Sequence, residues 1–338
     1  MSEHADELRS LVDGLAAAGP TDLWGGLVEL GLHRVGIDED RGGSGGCLDD
    51  LLVVVEALAG HGIGVPLVES STADWVLAHG QHLGGEQATI ALLDRAPDVT
   101  SGTVTAELHA VPWARDASRL VLCAQETGPL VVDRHHPSVT VTPGENVAGE
   151  PRDTVTLTGT PFEHIGTAPD HDTIRERLAL LWSAAVLGAA HGAYRLTKSY
   201  VTERHQFGAP LVRIPAVSGN LARMRVRLVQ ADAALALARE AAAPLGAAVE
   251  VARVTTAAAA TEIAQLAHQL HGAMGVTAEY PLHHLTRRLW SWRDAVAGER
   301  HWAESLGRRA AEAGETGVWT RITAPTSTPT PTASDSED

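Results

Sequence analysis

The sequence contains only two cysteines among its 338 residues, Cys47 and Cys123, and they do not form a CxxC pair. Disulfide-stapled scaffolds need several closely spaced cysteines, so that class of fold is excluded and a reducing compartment is expected. No basic segment followed by an apolar run stands after Met1, and no apolar run reaches membrane-spanning length. We therefore expect a cytoplasmic protein without a signal peptide or a membrane span.

Positive charge is also scarce, because 26 Lys and Arg residues face 42 Asp and Glu residues, for a net charge of −16. Lys198 is the only lysine. Nucleic-acid binding requires a basic surface, so nucleic acid is excluded as a partner. A local basic pocket for an anionic cofactor or substrate remains compatible with this balance.

The pattern also lacks a metal-ligand arrangement, although 17 histidines are present. His135-His136 and His283-His284 are adjacent pairs, and neighbouring side chains point apart on a strand or a helix. Such a pair does not chelate one metal ion. We therefore predict no metal site.

The first 75 residues read as a helical N-terminal domain, since Leu8, Leu11, Val12 and Leu15 follow helix spacing. The glycine-rich segment 42–46 interrupts the helices. It lacks the Lys-Ser/Thr ending of a phosphate-binding P-loop, so we interpret it as a loop between helices.

Residues 76–168 change to short Val/Thr-rich runs separated by Gly, Pro and Asp, which predicts a small β middle domain. Helix pattern returns over 169–320, with an N-cap at Asp172-Thr173 and a first helix to about Arg204. Further helices are predicted over 215–242, 246–271 and 281–313, which indicates a four-helix bundle. The Pro/Thr/Ser/acid-rich segment 321–338 is predicted to be a disordered tail.

Two motifs in the C-terminal half carry the functional signal. One is Arg204-His205-Gln206-Phe207-Gly208, and the other runs from Gln269 through Gly272 and Gly275 to Pro281. Each places an Arg or an amide beside glycines at a helix end, which suits a phosphate and a nucleotide ring. Together they resemble the flavin-binding signatures of the acyl-CoA dehydrogenase family, and the resemblance extends over about residues 20–310.

The resemblance implies a mainly α fold with a small β middle domain, FAD as cofactor and an acyl-CoA thioester as substrate. In that family FAD lies across a subunit interface, and electrons pass on to an electron-transfer acceptor. The resemblance further implies cofactor-binding roles for six residues, namely Arg204, Gln206, Phe207, Gln269, Gly272 and Gly275.

The catalytic base departs from the family pattern. The family presents its Glu near Val296-Ala297 or, in some members, at the position of Leu178-Ala179, and no carboxylate stands at either place. Glu299 lies just beyond the first position, and Glu176 lies two residues before the second. Two residues rotate a helix by roughly 200°, so we interpret Glu176 as a solvated first-turn residue. Both remain weak candidates for the base.

The family's middle-domain motifs that cover the flavin ring are also absent from residues 76–165. Three hypotheses therefore remain open. The chain is a subunit of a heteromeric acyl-CoA dehydrogenase (heterodimer or heterotetramer) that completes a longer partner's FAD site, with a steroid-CoA as a plausible substrate. Alternatively, it is a complete homo-oligomeric enzyme with a displaced Glu, or a non-catalytic assembly or binding partner.

Overall fold

The structure, a computed structural model, describes residues 4–19, 22–80, 83–241 and 246–323. Most of the predicted disordered tail, residues 324–338, lies outside these ranges. The first three residues assigned to that tail, 321–323, instead complete the last helix.

Up to residue 80, the described part of the chain contains four α-helices: α1 Ala5–Ala17, α2 Leu23–Glu29, α3 Leu48–Gly60 and α4 Leu67–Ala78. The start of α3 is fixed by Asp50, whose carboxylate accepts a 2.8 Å hydrogen bond from the backbone N–H of Cys47. This contact satisfies a donor that the helix itself leaves unpaired. The glycine-rich segment 42–46 is the predicted loop, and it is pinned where the Gly45 N–H donates to the Ile37 carbonyl at 2.9 Å.

Eight strands follow: β1 Ala88–Leu92, β2 Asp98–Thr100, β3 Thr103–Pro112, β4 Arg119–Ala124, β5 Gly128–Asp133, β6 Val139–Thr142, β7 Arg152–Pro161 and β8 Glu163–His164. They form two four-stranded sheets with the orders β1-β4-β5-β8 and β2-β3-β7-β6. Only the pairing of β1 with β4 is parallel among these strands.

Side-chain alternation along β4 explains how the sheets join the rest of the molecule. Leu120 and Leu122 point into the core between the two sheets, whereas Val121 and Cys123 point into the core of the helices. Successive strand residues face opposite sides, so one strand contributes to both cores. Burial raises the pKa of the Cys123 thiol to about 12, which leaves it unreactive.

The remainder of the described chain is mainly helical, with α5 His171–Glu203, α6 Pro215–Glu240, α7 Gly246–His271, α8 Leu282–Trp292 and α9 Glu299–Thr323. A short hairpin of β9 His205–Gln206 and β10 Ala209–Pro210 lies between α5 and α6. The predicted N-cap at Asp172-Thr173 is wrong by two residues. The cap is Asp170, whose carboxylate accepts from the Thr173 N–H at 2.7 Å.

The single helix predicted over 281–313 is in fact two helices, α8 and α9. The buried guanidinium of Arg253 donates to the carbonyls of Trp292, Arg293 and Ala295 at 3.3, 2.7 and 3.0 Å. Val296 then takes a left-handed backbone with φ 69°. Arg253 therefore supplies the hydrogen bonds that the end of α8 lacks, and the chain turns before α9 begins.

One continuous core joins α1–α4 to the bundle of α5, α6, α7 and α9. Helices α3 and α5 approach closely because Gly188 and Gly192 have no side chain. A Cβ on either would stand 2.1 or 2.4 Å from the carbonyl oxygens of Glu56 and Gly60. The architecture is mainly α with a small β part, as predicted. Within the described ranges, no helix is both long and apolar enough to cross a membrane.

Candidate functional site

The first motif forms an exposed hairpin at the end of α5. Helix α5 ends at Glu203, and β9 and β10 are joined by a turn in which Phe207 has φ 54° and Gly208 has φ 81°. Two consecutive positive φ values suit a tight hairpin, but they strain a bulky residue such as Phe207. Phe207 as a whole residue is nonetheless 93% exposed. The strained backbone of the turn therefore places an aromatic side chain on the surface of the protein.

Polar groups accompany this ring. Arg204 and Gln206 are exposed, and their side chains make no hydrogen bond or ion pair with any residue in the described ranges. The Arg204 backbone is held in place, because its N–H donates to the Tyr200 carbonyl at 2.8 Å. The backbone of Arg204 is therefore fixed, while the polar ends of the Arg204 and Gln206 side chains remain available for hydrogen bonds to a ligand.

The second motif lies at the end of α7. Gln269 is exposed, and Gly272 begins a 3-10 helix with φ 58° and no atom within 4 Å of the position of an added Cβ. Met274 and Val276 follow, and Val276 is 75% exposed. Bare backbone beside an amide allows close approach of a ligand, as expected for this motif.

Three rings connect the two motifs. Tyr200 of α5 stacks on His271 of α7 with centroids 4.5 Å apart, and Tyr280 lies 4.9 Å from His271. The His271 Nδ1–H donates to the Ala267 carbonyl at 2.7 Å, so Nε2 accepts from the Tyr280 hydroxyl at 3.3 Å. Burial lowers the pKa of His271, which keeps this imidazole neutral. The cluster fixes both helix ends on one side of the bundle.

Gly275 differs from the other five predicted cofactor-binding residues. It is buried, and an added Cβ would lie 2.8 Å from the Cβ of His271 and 3.3 Å from Leu282 Cδ2. Its missing side chain allows the turn to pack on His271. Gly275 therefore shapes the site from beneath, whereas Arg204, Gln206, Phe207, Gln269 and Gly272 lie at the surface.

A separate cleft of about 700 Å³ lies between the sheets and the bundle. Leu178 and Trp182 of α5 line it on one side, together with Ala295 and Val296 from the loop between α8 and α9. Both positions at which the family presents its base thus meet in one cavity. Neither of these two positions carries a carboxylate. Val296 has a left-handed backbone, with φ 69°, a conformation that glycine adopts without strain.

The two weak candidates for the base lie elsewhere. Glu176 is not a solvated first-turn residue, because its Oε1 accepts from the backbone N–H of Gly246 at 3.0 Å. It caps the start of α7, where a carboxylate is favoured by the helix dipole. Glu299 is the exposed first residue of α9. Neither residue lines the cleft.

Sequence reasoning missed a buried ion pair at the cleft. Arg152 Nη2 lies 3.2 Å from Glu69 Oε1, and only 3% of Glu69 is exposed. Burial raises the pKa of Glu69 to about 6, against the lowering effect of Arg152. The available signal was a lone carboxylate within the apolar start of α4. Its partner, far along the chain on β7, could not be inferred.

The wall behind the cleft is closed by tryptophans. The rings of Trp182 and Trp292 lie 5.6 Å apart, and the Trp292 indole donates to Glu150 Oε2 at 3.0 Å. Arg288 pairs with the other oxygen of Glu150 at 3.2 Å. Only about 30 Å³ of cavity remains behind these side chains. The interior behind the cleft is therefore closely packed, and the Glu150 carboxylate is paired there with Trp292 and Arg288.

Residues 173–293 match the acyl-CoA dehydrogenase C-terminal domain, a range that contains α5 from its third residue on, both motifs and α8. The chain is therefore similar to acyl-CoA dehydrogenases, by this domain and by its relatives. Acyl-CoA dehydrogenase FadE28 of Mycobacterium tuberculosis is 28% identical over 332 residues, covering 90% of this chain and 97% of FadE28. Acyl-CoA dehydrogenase FadE34 of the same organism is also 28% identical, but the chain spans only 44% of its length.

Solved acyl-CoA dehydrogenases share the fold. The ChsE4-ChsE5 complex from Mycobacterium tuberculosis matches with a TM-score of 0.84 and 22% identity, covering 92% of this chain and 98% of the matched chain. The Tcur3481-Tcur3483 steroid ACAD G363A variant matches with a TM-score of 0.80 and 24% identity over the same shares. In the residues that the structure describes, no group of three or more His, Cys, Asp or Glu side chains could hold a metal ion.

Proposed function

We propose that this chain is a subunit of a FAD-dependent acyl-CoA dehydrogenase that desaturates an acyl-CoA thioester between its α and β carbons. In this proposal the chain completes the FAD site of a longer partner subunit and does not supply the catalytic base. The observation that carries the proposal is the exposed set of Arg204, Phe207 and Gln269, which lies above the ring cluster and has no side-chain hydrogen bond or ion pair to any residue that the structure describes.

The chemistry of this surface fits one end of FAD. The Arg204 guanidinium offers planar donors that suit pyrophosphate oxygens, and the amides of Gln206 and Gln269 suit polar nucleotide edges. The Phe207 ring is a stacking surface, and Gly272 leaves room for backbone contact. Bound FAD supplies the oxidation, by accepting a hydride from the β carbon. This chain's residues bind and orient the cofactor.

The second part of the proposal rests on the cleft. Removal of the α proton needs a base within hydrogen-bond reach in a water-poor site. Leu178, Ala295 and Val296 offer none, and Glu176 is occupied as a cap. Glu69 lines the cleft, but both of its oxygens are buried and the Arg152 guanidinium lies against one of them. The base is therefore assigned to the partner.

A bulky acyl group, such as that of a steroid-CoA, is the proposed substrate class. Support comes from the steroid ACAD among the structures that share the fold. Support for a partner subunit comes from the ChsE4-ChsE5 complex, a pairing of two different chains. Electrons leave the assembly through an electron-transfer acceptor, as expected for the family.

The test is the flavin content of the complex. The chain is co-expressed with longer acyl-CoA dehydrogenase chains from its own genome, and flavin per purified complex is measured by absorbance. Arg204→Ala should lower the affinity of the complex for FAD, and with it the flavin occupancy at limiting FAD, by at least about tenfold, since charge-assisted hydrogen bonds contribute about 1.5–3 kcal/mol. Phe207→Ala should lower it by a similar factor.

The matched control is Arg300→Ala, which removes an arginine whose side chain is 91% exposed on α9. It should leave the flavin content unchanged. Unchanged flavin in Arg204→Ala and Phe207→Ala, in complexes that still assemble, would refute the proposed role of this surface.

A further inference from the structure

A second pocket, of about 550 Å³, lies where the end of α3, the C-terminal half of α5 and the start of α8 meet. Among the described residues that line it there is neither Asp nor Glu, although the whole chain carries a net charge of −16. Its basic lining residues are His61, Arg195, His284 and Arg288. A pocket of this size accommodates a small molecule. None of the six residues assigned to FAD lines it.

Two glycines allow arginines to lie directly on the backbone of this pocket. A Cβ on Gly60, the last residue of α3, would stand 3.2 Å from Arg195 Nη2. A Cβ on Gly64, in the loop before α4, would stand 2.7 Å from Arg288 Nη2. A side chain at either glycine would therefore displace a guanidinium from the pocket wall.

Arg195 brings a positive charge that the described chain does not balance. Its side chain is exposed, and Nη2 donates to the Gly60 carbonyl, a neutral acceptor, at 2.9 Å. No Asp or Glu in the described ranges lies within ion-pair distance of this guanidinium. A guanidinium has several N–H donors, so most of them remain available to a ligand.

The carboxylates that neighbour the pocket are engaged elsewhere. Asp13 Oδ1 contacts His61 Nε2 at 2.7 Å. Glu150 pairs with Arg288 at 3.2 Å, but its carboxylate faces the small cavity at Trp292 and accepts a hydrogen bond from that indole. The basic groups of the pocket therefore attract an anion without a competing carboxylate in the lining.

His284 lies within this positive field. It packs on Gly62, where a Cβ would stand 3.5 Å from the His284 Cβ. Burial lowers the pKa of His284, and the neighbouring His283, Arg288 and Arg287 lower it further. An anion bound beside the ring would offset these charges and favour its protonated form.

The other side of the pocket is apolar. Its apolar lining residues are Leu23, Ile63, Leu196, Pro281 and Leu285. An anion alone would leave this side uncovered, whereas a ligand with an attached organic group would bury it. The lining therefore suits a molecule with a charged end and an apolar end.

We propose that this pocket binds a small organic phosphate, with its phosphate group on Arg195 beside Arg288 and His284, and its organic group on the apolar side. A phosphate gains more than a carboxylate here, because it carries more charge and more acceptor oxygens. The site is separate from the FAD surface, since Arg195 lies nine residues before Arg204, about 13 Å back along α5. It does not depend on the proposed function.

The first test is calorimetric titration of the full chain with phenyl phosphate, in an Arg204→Ala background that weakens any phosphate binding at the FAD surface. Phenyl phosphate should bind, and Arg195→Gln should weaken binding about tenfold, because a charge-assisted contact is lost. The new amide can still donate to the Gly60 carbonyl, and circular dichroism checks the fold. Arg308→Gln, an exposed arginine on α9, is the matched control and should bind normally. Absence of binding, or equal affinity in Arg195→Gln, would overturn the proposal.

The second test identifies the ligand class and its position. Benzoate and inorganic phosphate should each bind about tenfold more weakly than phenyl phosphate, because each lacks one half of the proposed ligand. In NMR titrations, with the resonance assigned through His284→Asn, phenyl phosphate should raise the pKa of His284. Benzoate or inorganic phosphate binding as tightly as phenyl phosphate would contradict the ligand class, and an unchanged pKa of His284 in the bound chain would contradict the position.

Discussion

The phenol ring of Tyr200 lies on the imidazole of His271, with the two planes inclined by only 25°. Tyr200 stands one turn before Arg204, and His271 directly precedes Gly272. The pair therefore couples the ends of α5 and α7, from which the two family motifs emerge. The relative position of these motifs depends on this stacked contact.

The stacked pair should show measurable coupling. Tyr200→Ala and His271→Ala should each lower the free energy of unfolding, and the double variant should lose about 1 kcal/mol less than the sum of the two. Chemical denaturation of the four proteins measures the cycle. Strictly additive losses would mean that the two rings do not support each other.

Val296 should respond to relief of backbone strain. A β-branched residue at φ 69° stores about 1–3 kcal/mol, which exceeds the entropic cost of glycine of about 1 kcal/mol. Val296→Gly should therefore raise the free energy of unfolding by about 1 kcal/mol. The control Val254→Gly, in the middle of α7, should destabilise the chain. Destabilisation by Val296→Gly would show that packing outweighs strain in this loop.

Arg253 should be a large contributor to stability despite its distance from both motifs. Arg253→Met removes the guanidinium donor from the Arg293 and Ala295 carbonyls after α8, which should cost about 3 kcal/mol. Arg300→Met, on the surface of α9, should change stability by less than about 0.5 kcal/mol. Urea denaturation compares the two variants, and equal effects would contradict the capping role.

The buried carboxyl of Glu69 should make stability depend on pH. Its pKa is about 6 in the folded chain against 4.5 for an ordinary Glu, so the folded state holds the proton more tightly. This contribution is complete below pH 4.5 and is lost as the pH rises through 6. Relative to Glu69→Gln, the wild-type chain should lose about 2 kcal/mol between these limits.

Denaturation of both proteins at pH 4.5 and pH 7 measures this difference. The exposed residue Glu279 provides the comparison, and Glu279→Gln should follow the wild-type chain at both pH values. A constant offset between wild type and Glu69→Gln would show that the carboxyl does not titrate in this window.

The sequence predicted those parts of the structure that depend on local pattern. The strands around Leu120–Leu122 and the end of α5 at Glu203 follow from periodicity and turn residues. The break between α8 and α9 could not be predicted, because Arg253 on α7 imposes it through hydrogen bonds across the fold. The cap that Glu176 provides for Gly246 was missed for the same reason.

In the candidate site, too, the sequence predicted the features set by local pattern and missed those set by contacts between distant segments. The sequence predicted that both motifs stand at helix ends, and it also indicated that no carboxylate stands at the family's base positions. The cleft itself, its Glu69–Arg152 pair and the inward position of Gly275 depend on contacts between distant segments. Pattern alone carries no information about such pairs.

The most direct test of the central claim compares the chain alone with the chain co-purified with the longer partner subunit that we propose. Flavin absorbance and dye reduction driven by a panel of acyl-CoA and steroid-CoA thioesters are recorded for both preparations. The account predicts bound flavin and activity in the complex, and neither in the isolated chain. A flavin-bound isolated chain that oxidises an acyl-CoA would contradict it.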